Sequence, residues 1–148
     1  MAVKTNDFDQ ANIRSYGDLT ICESIRYGFK YTTKVRWEEV TVGAAATTSS
    51  TATLIPANCR VDAVAHRITA VIPTTDGTMD LGTAASATAF QDDAETDTVG
   101  NTGVKHLATE YTAATGVRIT PCSTPTAATG KVMIVVFYTQ VTAPTSSP

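Results

Sequence analysis

Charge is scarce in this sequence. Only 17% of its residues are Asp, Glu, Lys or Arg, and the net charge is −3. A mildly acidic chain with no massed Lys and Arg is a poor partner for nucleic acid, whose phosphates need a concentrated basic surface. Long apolar runs are missing too: none reaches the ~20 residues that span a bilayer. The polar opening MAVKTNDFDQANIRSYGD has no apolar core of a secretory signal, so the expectation is a chain made in the cytoplasm that leaves it, if at all, by a route its own sequence does not encode. Cysteine is limited to Cys22, Cys59 and Cys122, an odd number without a CxxC. That argues against a disulfide framework and a zinc site; a Cys59–Cys122 pair stays open, because both flank expected strand ends. No GxSxG, GxxxxGK[ST] or GxGxxG occurs. Paired carboxylates could still meet in space, but no residue singles itself out, and the expectation is a protein without enzyme activity or cofactor.

What the chain has is Thr and Ala, together about a third of it. Thr favours strands, and Ala packs where surfaces approach closely. Charged helix-forming stretches are missing after residue 40. The charges are also uneven: twelve of the 25 fall in residues 1–39, six of each sign. In residues 1–36, Arg14, Arg26, Lys30, Lys34 and Arg36 interleave with Phe8, Tyr16, Tyr27, Phe29 and Tyr31, without a clean period of 2 or 3.6. Such a segment has too little apolar mass for its own core and too many aromatics for a solvated tail. It reads as an extended arm ordered against a protein partner, with Tyr16, Arg26, Tyr27, Phe29 and Arg36 as candidate anchors, since Arg and Tyr are favoured at interfaces.

From Trp37 onward short strands are legible: WEEVTV (37–42), TATLI (51–55, stopped by Pro56), RVDAVAHRITAVI (60–72, stopped by Pro73), TMDLG (78–82), one or two in VKHLATEYT (104–112), TGVRITP (115–121), and KVMIVVFYTQV (131–141). The Asp76-Gly77 turn signal predicts that 78–82 forms a hairpin with the strand before it. Residues 83–102 lose the strand pattern and read as a long surface loop with one helical turn near 87–94. The fold class expected is all-β: a β-sandwich or jelly-roll-like knob of about seven or eight strands over 37–142, with the arm 1–36 before it and a loose tail 143–148 after it.

Few residues suggest chemistry. By strict alternation Asp62 and His66 share a face, about 13 Å apart, too far for a direct pair. His66 and His106 lack HxH or HExxH spacing and read as structural or surface residues. Between Arg67 and Lys105 every charge is negative, and QDDAETD (91–97) offers oxygens to Ca²⁺, but without EF-hand spacing it reads as a solvated acidic loop. Residues 73–130 hold only Phe90 and Tyr111 as aromatics. That is few for a sugar-binding surface, whether of a carbohydrate module or of a receptor-binding spike.

The last strand poses the central question. Met133, Val135 and Phe137 face one way, Val132, Ile134, Val136 and Tyr138 the other, and both sets are apolar. A half-wetted antiparallel strand would alternate apolar and polar. Either the strand is central and shielded by its own chain, or another copy covers its second face.

The order of SIRYGFKYTTKVRWEEV, LIPANCRVDAVAHRITAVIPTTDGTMDLGTAASATAFQDDA, TGVRITP and GKVMIVVFYTQVTAP resembles small β-rich virion proteins of tailed bacteriophages, in particular head decoration (cement) proteins. The resemblance lies in strand and turn patterns over residues 37–142, and more loosely in the arm. It implies a homotrimeric knob on the outer surface of the capsid that ties neighbouring major capsid proteins together. The arm would contact the capsid, and Val132, Ile134, Val136 and Tyr138 would serve core and trimer packing. Similar pieces occur in phage tail, spike and fibre proteins that recognise a host surface, which is the alternative.

Overall fold

The computed structural model describes residues 17–26 and 29–142, with side chains from residue 30 onward. These residues form nine strands: β1 (Gly17–Arg26), β2 (Phe29–Val42), β3 (Thr48–Ser49), β4 (Cys59–Ala70), β5 (Thr78–Gly82), β6 (Gln91–Glu95), β7 (Thr102–Tyr111), β8 (Arg118–Pro121) and β9 (Gly130–Thr142). No helix occurs among the described residues, so none is long and apolar enough to cross a membrane.

The strands build two antiparallel sheets, one in the order β1-β2-β9-β4-β7 and one in the order β3-β8-β5-β6. With β1 set aside as an added outer strand, 2-9-4-7 facing 3-8-5-6 is the strand order of a jelly roll. The all-β sandwich expected from the short strands and the Thr-rich composition is the fold observed.

The centre of the larger sheet is β9. It pairs with β2 from Gly130↔Val42 to Thr142↔Lys30 and with β4 from Lys131↔Ala70 to Gln140↔Cys59. A strand flanked on both edges along its length loses little backbone to water, which is why this one tolerates apolar residues on both faces. Val132, Ile134, Val136 and Tyr138 are each 0% exposed. They join Val61, Val64 and Ile68 of β4 against Met79, Leu81 and Ile119 of the smaller sheet and Phe90 just before β6. Each such side chain contributes roughly 1.5–3 kcal/mol by leaving water.

One core position is charged. Glu38, midway along β2, is 4% exposed and faces the core opposite Ile134. Its carboxylate accepts hydrogen bonds from the Thr51 amide (2.9 Å), the Ala52 amide (3.1 Å) and the Thr51 hydroxyl. The β3–β4 connection is thereby fastened to the sheet, and the carboxylate is compensated by three donors rather than by a cation.

Several sequence expectations are corrected. The strand starting at Trp37 begins at Phe29, so β2 runs unbroken through residue 36, and residues 17–26 add a further strand beside it. Within 51–55 only an isolated bridge forms, Ile55↔Thr115. The 78–82 strand does not pair with the strand before it: Gly77 does turn the chain, with φ of 65°, but the turn crosses to the other sheet, where β5 pairs with β8 and β6. Part of the 83–102 loop is β6. Its register shifts against β5 between Met79 and Leu81, and only Ala94 points firmly inward, so its acidic sequence shows no alternation. Finally, a β-bulge at Asp62 breaks the alternation of β4. Asp62 and Ala63 fall on the same side, and His66 turns inward while Asp62 stays outward. Cys59 and Cys122 are both free thiols.

Candidate interaction face

The sandwich leaves one broad surface unlike the rest: the outer side of the larger sheet. Register places its side chains in rows across the strands. Val35, Phe137, Ala63 and His106 form one row, and Trp37, Val135, Ala65 and Val104 the next. A third row of Glu39, Met133, Arg67 and Thr102 is mixed. Trp37, Met133, Val135 and Phe137 are half-buried. Val104 at the β7 edge is 57% exposed, and Tyr31 and Val141, at the far end of the same face, are 37% and 51% exposed. Scattered exposed apolar residues are ordinary on a protein surface, and Val35 and Ala63 on this face are themselves buried, at 9% and 7% exposure.

The ends of the face are charged, and most of those charges are neutralised locally. Arg60 Nε lies 2.8 Å from Asp62 Oδ1, and the Thr139 hydroxyl donates to Asp62 Oδ2 at 2.6 Å. At the other end Lys131 Nζ lies 3.6 Å from Glu39 Oε1. Beyond the Arg60 end the surface dips into an open concavity of about 360 Å³ between Tyr31, Asn58, Arg60, Glu110, Tyr111 and Val141. Burial pushes the Tyr111 phenol up from its usual range, and the nearby Cys59 adds to this. Cys59, at the floor, is raised by burial first, with Arg36 pulling it down and Asp62 pushing it up; its thiol donates to the Pro56 carbonyl at 3.1 Å. A thiol held in its protonated form is a poor nucleophile.

Two further groups bear on chemistry. His66, 4% exposed, sits beneath β7 opposite Gly103. A Cβ at Gly103 would lie 2.5 Å from His66 Cε1 and 3.1 Å from Gln91 Oε1, so glycine there is what admits the imidazole. Burial pulls the His66 pKa down, and its Nε2 has no hydrogen-bond partner. On the smaller sheet, Asp80, Asp93 and Cys122 bring their donor atoms within 4.8 Å of one another. The Cys122 thiol is pulled down by a Thr78 hydrogen bond, while burial and the two carboxylates push it up to a net raised pKa. Two carboxylates beside a protonated thiol supply too few oxygens for Ca²⁺, which takes six to eight oxygen ligands.

The residues singled out from sequence are dispersed. Val132, Ile134, Val136 and Tyr138 fill the core of their own chain, and Met133, Val135 and Phe137, each half-buried, lie on the other side of β9. Arg36 is engaged at home: its guanidinium lies 5.7 Å from the Tyr138 ring centroid and donates to the Thr53 carbonyl at 3.1 Å. Arg26 and Phe29 are paired at the closing end of the β1–β2 hairpin. Tyr16 and Tyr27 lie outside the described residues. Sequence reasoning did not single out Trp37, Val135, Phe137 and Val104 as one surface. The signal was the apolar second face of 131–141, which only register connects to β2 and β7.

No protein-family model and no curated protein matches the chain. The fold is shared with a chain of a solved assembly described as the Cyanophage Pam1 capsid asymmetric unit, at a TM-score of 0.52 and 20% sequence identity, over 80% of this chain and 91% of that chain.

Proposed function

We propose that this chain is a structural protein of a bacteriophage virion: a head decoration protein that sits on the outer surface of the capsid as a homotrimer and cements neighbouring major capsid proteins. The observation that carries the reading is the shared fold, which spans 91% of a chain from a phage capsid unit. The jelly roll alone hosts many functions. The apolar sheet face and the raised pKa of the Cys59 thiol at the concavity favour a binding role over an enzymatic one.

The mechanism is physical. Packed genome loads the shell outward, and a protein bridging subunits adds interface area that must break before they separate. Many modest contacts gain by multivalency once a trimer engages several subunits together. The segment through residue 36, with Tyr16, Arg26, Tyr27 and Phe29, is assigned to capsid contact. Arg36 is left to the fold, given its contacts with Tyr138 and Thr53.

The test is co-sedimentation of the full chain, and of a variant lacking residues 2–16, with heads of the encoding phage stripped of this protein. That deletion spares all nine described strands. The full chain is expected to pellet with the heads and the shortened one, which loses Tyr16, to pellet less. A full chain that ignores heads but binds host cells would favour the tail or spike reading; a shortened chain that pellets undiminished would take residues 2–16, Tyr16 among them, out of the mechanism.

A further inference from the structure

The concavity at one end of the larger sheet gathers polar side chains that the fold itself leaves unused. Tyr31 of β2, Asn58 just before β4, Glu110 and Tyr111 at the end of β7, and Thr112 after it all line it. None of these five side chains makes a hydrogen bond or an ion pair among the described residues. Their neighbours do. Arg60 pairs with Asp62 at 2.8 Å, the Thr139 hydroxyl donates to Asp62 at 2.6 Å, and the Cys59 thiol donates to the Pro56 carbonyl at 3.1 Å. Uncommitted donors and acceptors converging on one hollow are what fixes a polar ligand in place. The hollow is open to solvent: Asn58, Arg60, Glu110 and Thr112 are exposed, as are Tyr31 and Val141.

The lining indicates the class of ligand. Its charged residues are one base, Arg60, and one acid, Glu110, opposite each other in register. An anion would meet Glu110 and find Arg60 already held by Asp62. A cation would meet Arg60 and gain only one exposed carboxylate, a weak attraction. Neither sign is selected. The two phenols and Val141 offer apolar surface with polar tips, and the Asn58 amide, the Glu110 carboxylate and the Thr112 hydroxyl supply donors and acceptors at the rim. A neutral molecule with C–H ring faces and many hydroxyls matches both, which is the chemistry of a sugar. Spacing sets its length. Tyr31 and Tyr111 belong to β2 and β7, three strand spacings apart in the sheet, so their backbones are about 14 Å from each other. That suits two linked rings, one against each phenol, better than one flat ring held between both. The volume of about 360 Å³ falls within the roughly 300–1,000 Å³ of small-molecule clefts.

We propose that the concavity between Tyr31 and Tyr111 binds a short neutral saccharide. The phenols carry the ring faces, and Glu110, with Asn58 and Thr112, takes the hydroxyls. This goes beyond the virion role proposed above and stands whether that role is decoration or host recognition. The pair was hidden in sequence, where Tyr31 fell in the segment 1–36 and Tyr111 was one of only two aromatics in residues 73–130.

The test is saturation-transfer NMR on the purified full chain with lactose, maltose, cellobiose and diacetylchitobiose, each at about 10 mM, above the ~1 mM dissociation constant of a weak open site. Diglucosamine is the cationic control, sialyllactose the anionic one and adenosine the flat one. At least one neutral disaccharide is expected to receive saturation from the protein. Titration should show Tyr31→Ala and Glu110→Ala each weakening it about fivefold or more. Both residues are exposed, so the circular dichroism should not change. Val99→Ala, in the loop before β7 and at the opposite end of that strand from Tyr111, should bind as wild type does. No saturation of any neutral disaccharide, or binding untouched by both site variants, would overturn the assignment. So would tighter binding of a charged control or of adenosine. Pelleting with heads is a separate readout. A chain that binds heads but no sugar would keep the decoration reading without this site, and one that binds sugar but no heads would keep the site alone.

Discussion

At the scale of single residues, three positions show how the interior handles polarity. Glu38 is buried yet answered by two amides and a hydroxyl from residues 51 and 52, so it ties a loop to the sheet rather than weakening it. Asp62 occupies a bulge and spends its two oxygens on Arg60 and Thr139. His66 is buried with its Nε2 unsatisfied, and burial lowers its pKa below the ordinary 6.5. The unfolded chain therefore binds a proton that the folded chain resists, between the depressed folded pKa and about 6.5. The stability this neutral imidazole permits is complete above about pH 6.5 and is lost as pH falls toward its folded pKa. Thermal unfolding followed from pH 7.5 to pH 5 should show a steeper fall for wild type than for His66→Gln; parallel curves would contradict it. None of these roles was visible in sequence, because each depends on a cross-strand or cross-sheet partner distant along the chain.

At the scale of elements, legibility followed periodicity. The strands at 60–72 and 131–141 stood out because long apolar β-branched runs bounded by Pro or Gly have few alternatives. The bulge at Asp62 left no such mark, so the side of His66 was misassigned even though its strand was found. The acidic strand β6 was missed because only Ala94 anchors it, and β5 was given the wrong neighbour because a turn signal fixes a reversal but not the sheet it leads into. The outer face of the larger sheet was half legible: β9 announced a second apolar side, while its continuation through Trp37 and Val104 required the register. The two sides of β9 should also separate energetically. Ile134→Ala empties a core site and should cost about 2–5 kcal/mol. Met133→Ala, one residue away on the outer face, should cost under about 1 kcal/mol in chemical denaturation of dissociated protein. Equal costs would mean that β9 has no inner and outer side.

At the scale of the whole molecule, the account is of a chain that works by surfaces. Among the described residues the smaller sheet is acidic outward, the larger is more apolar on its outer side, and the core between them is filled by apolar side chains. On the proposed decoration reading, such a molecule does its work by being present in number and in contact with its neighbours. The most direct measurement is therefore the copy number of this protein in purified virions, by quantitative mass spectrometry against the major capsid protein. A decoration protein should appear in copies of the same order as the major capsid protein. A handful of copies per particle, as for a tail component, or none at all, would contradict the account.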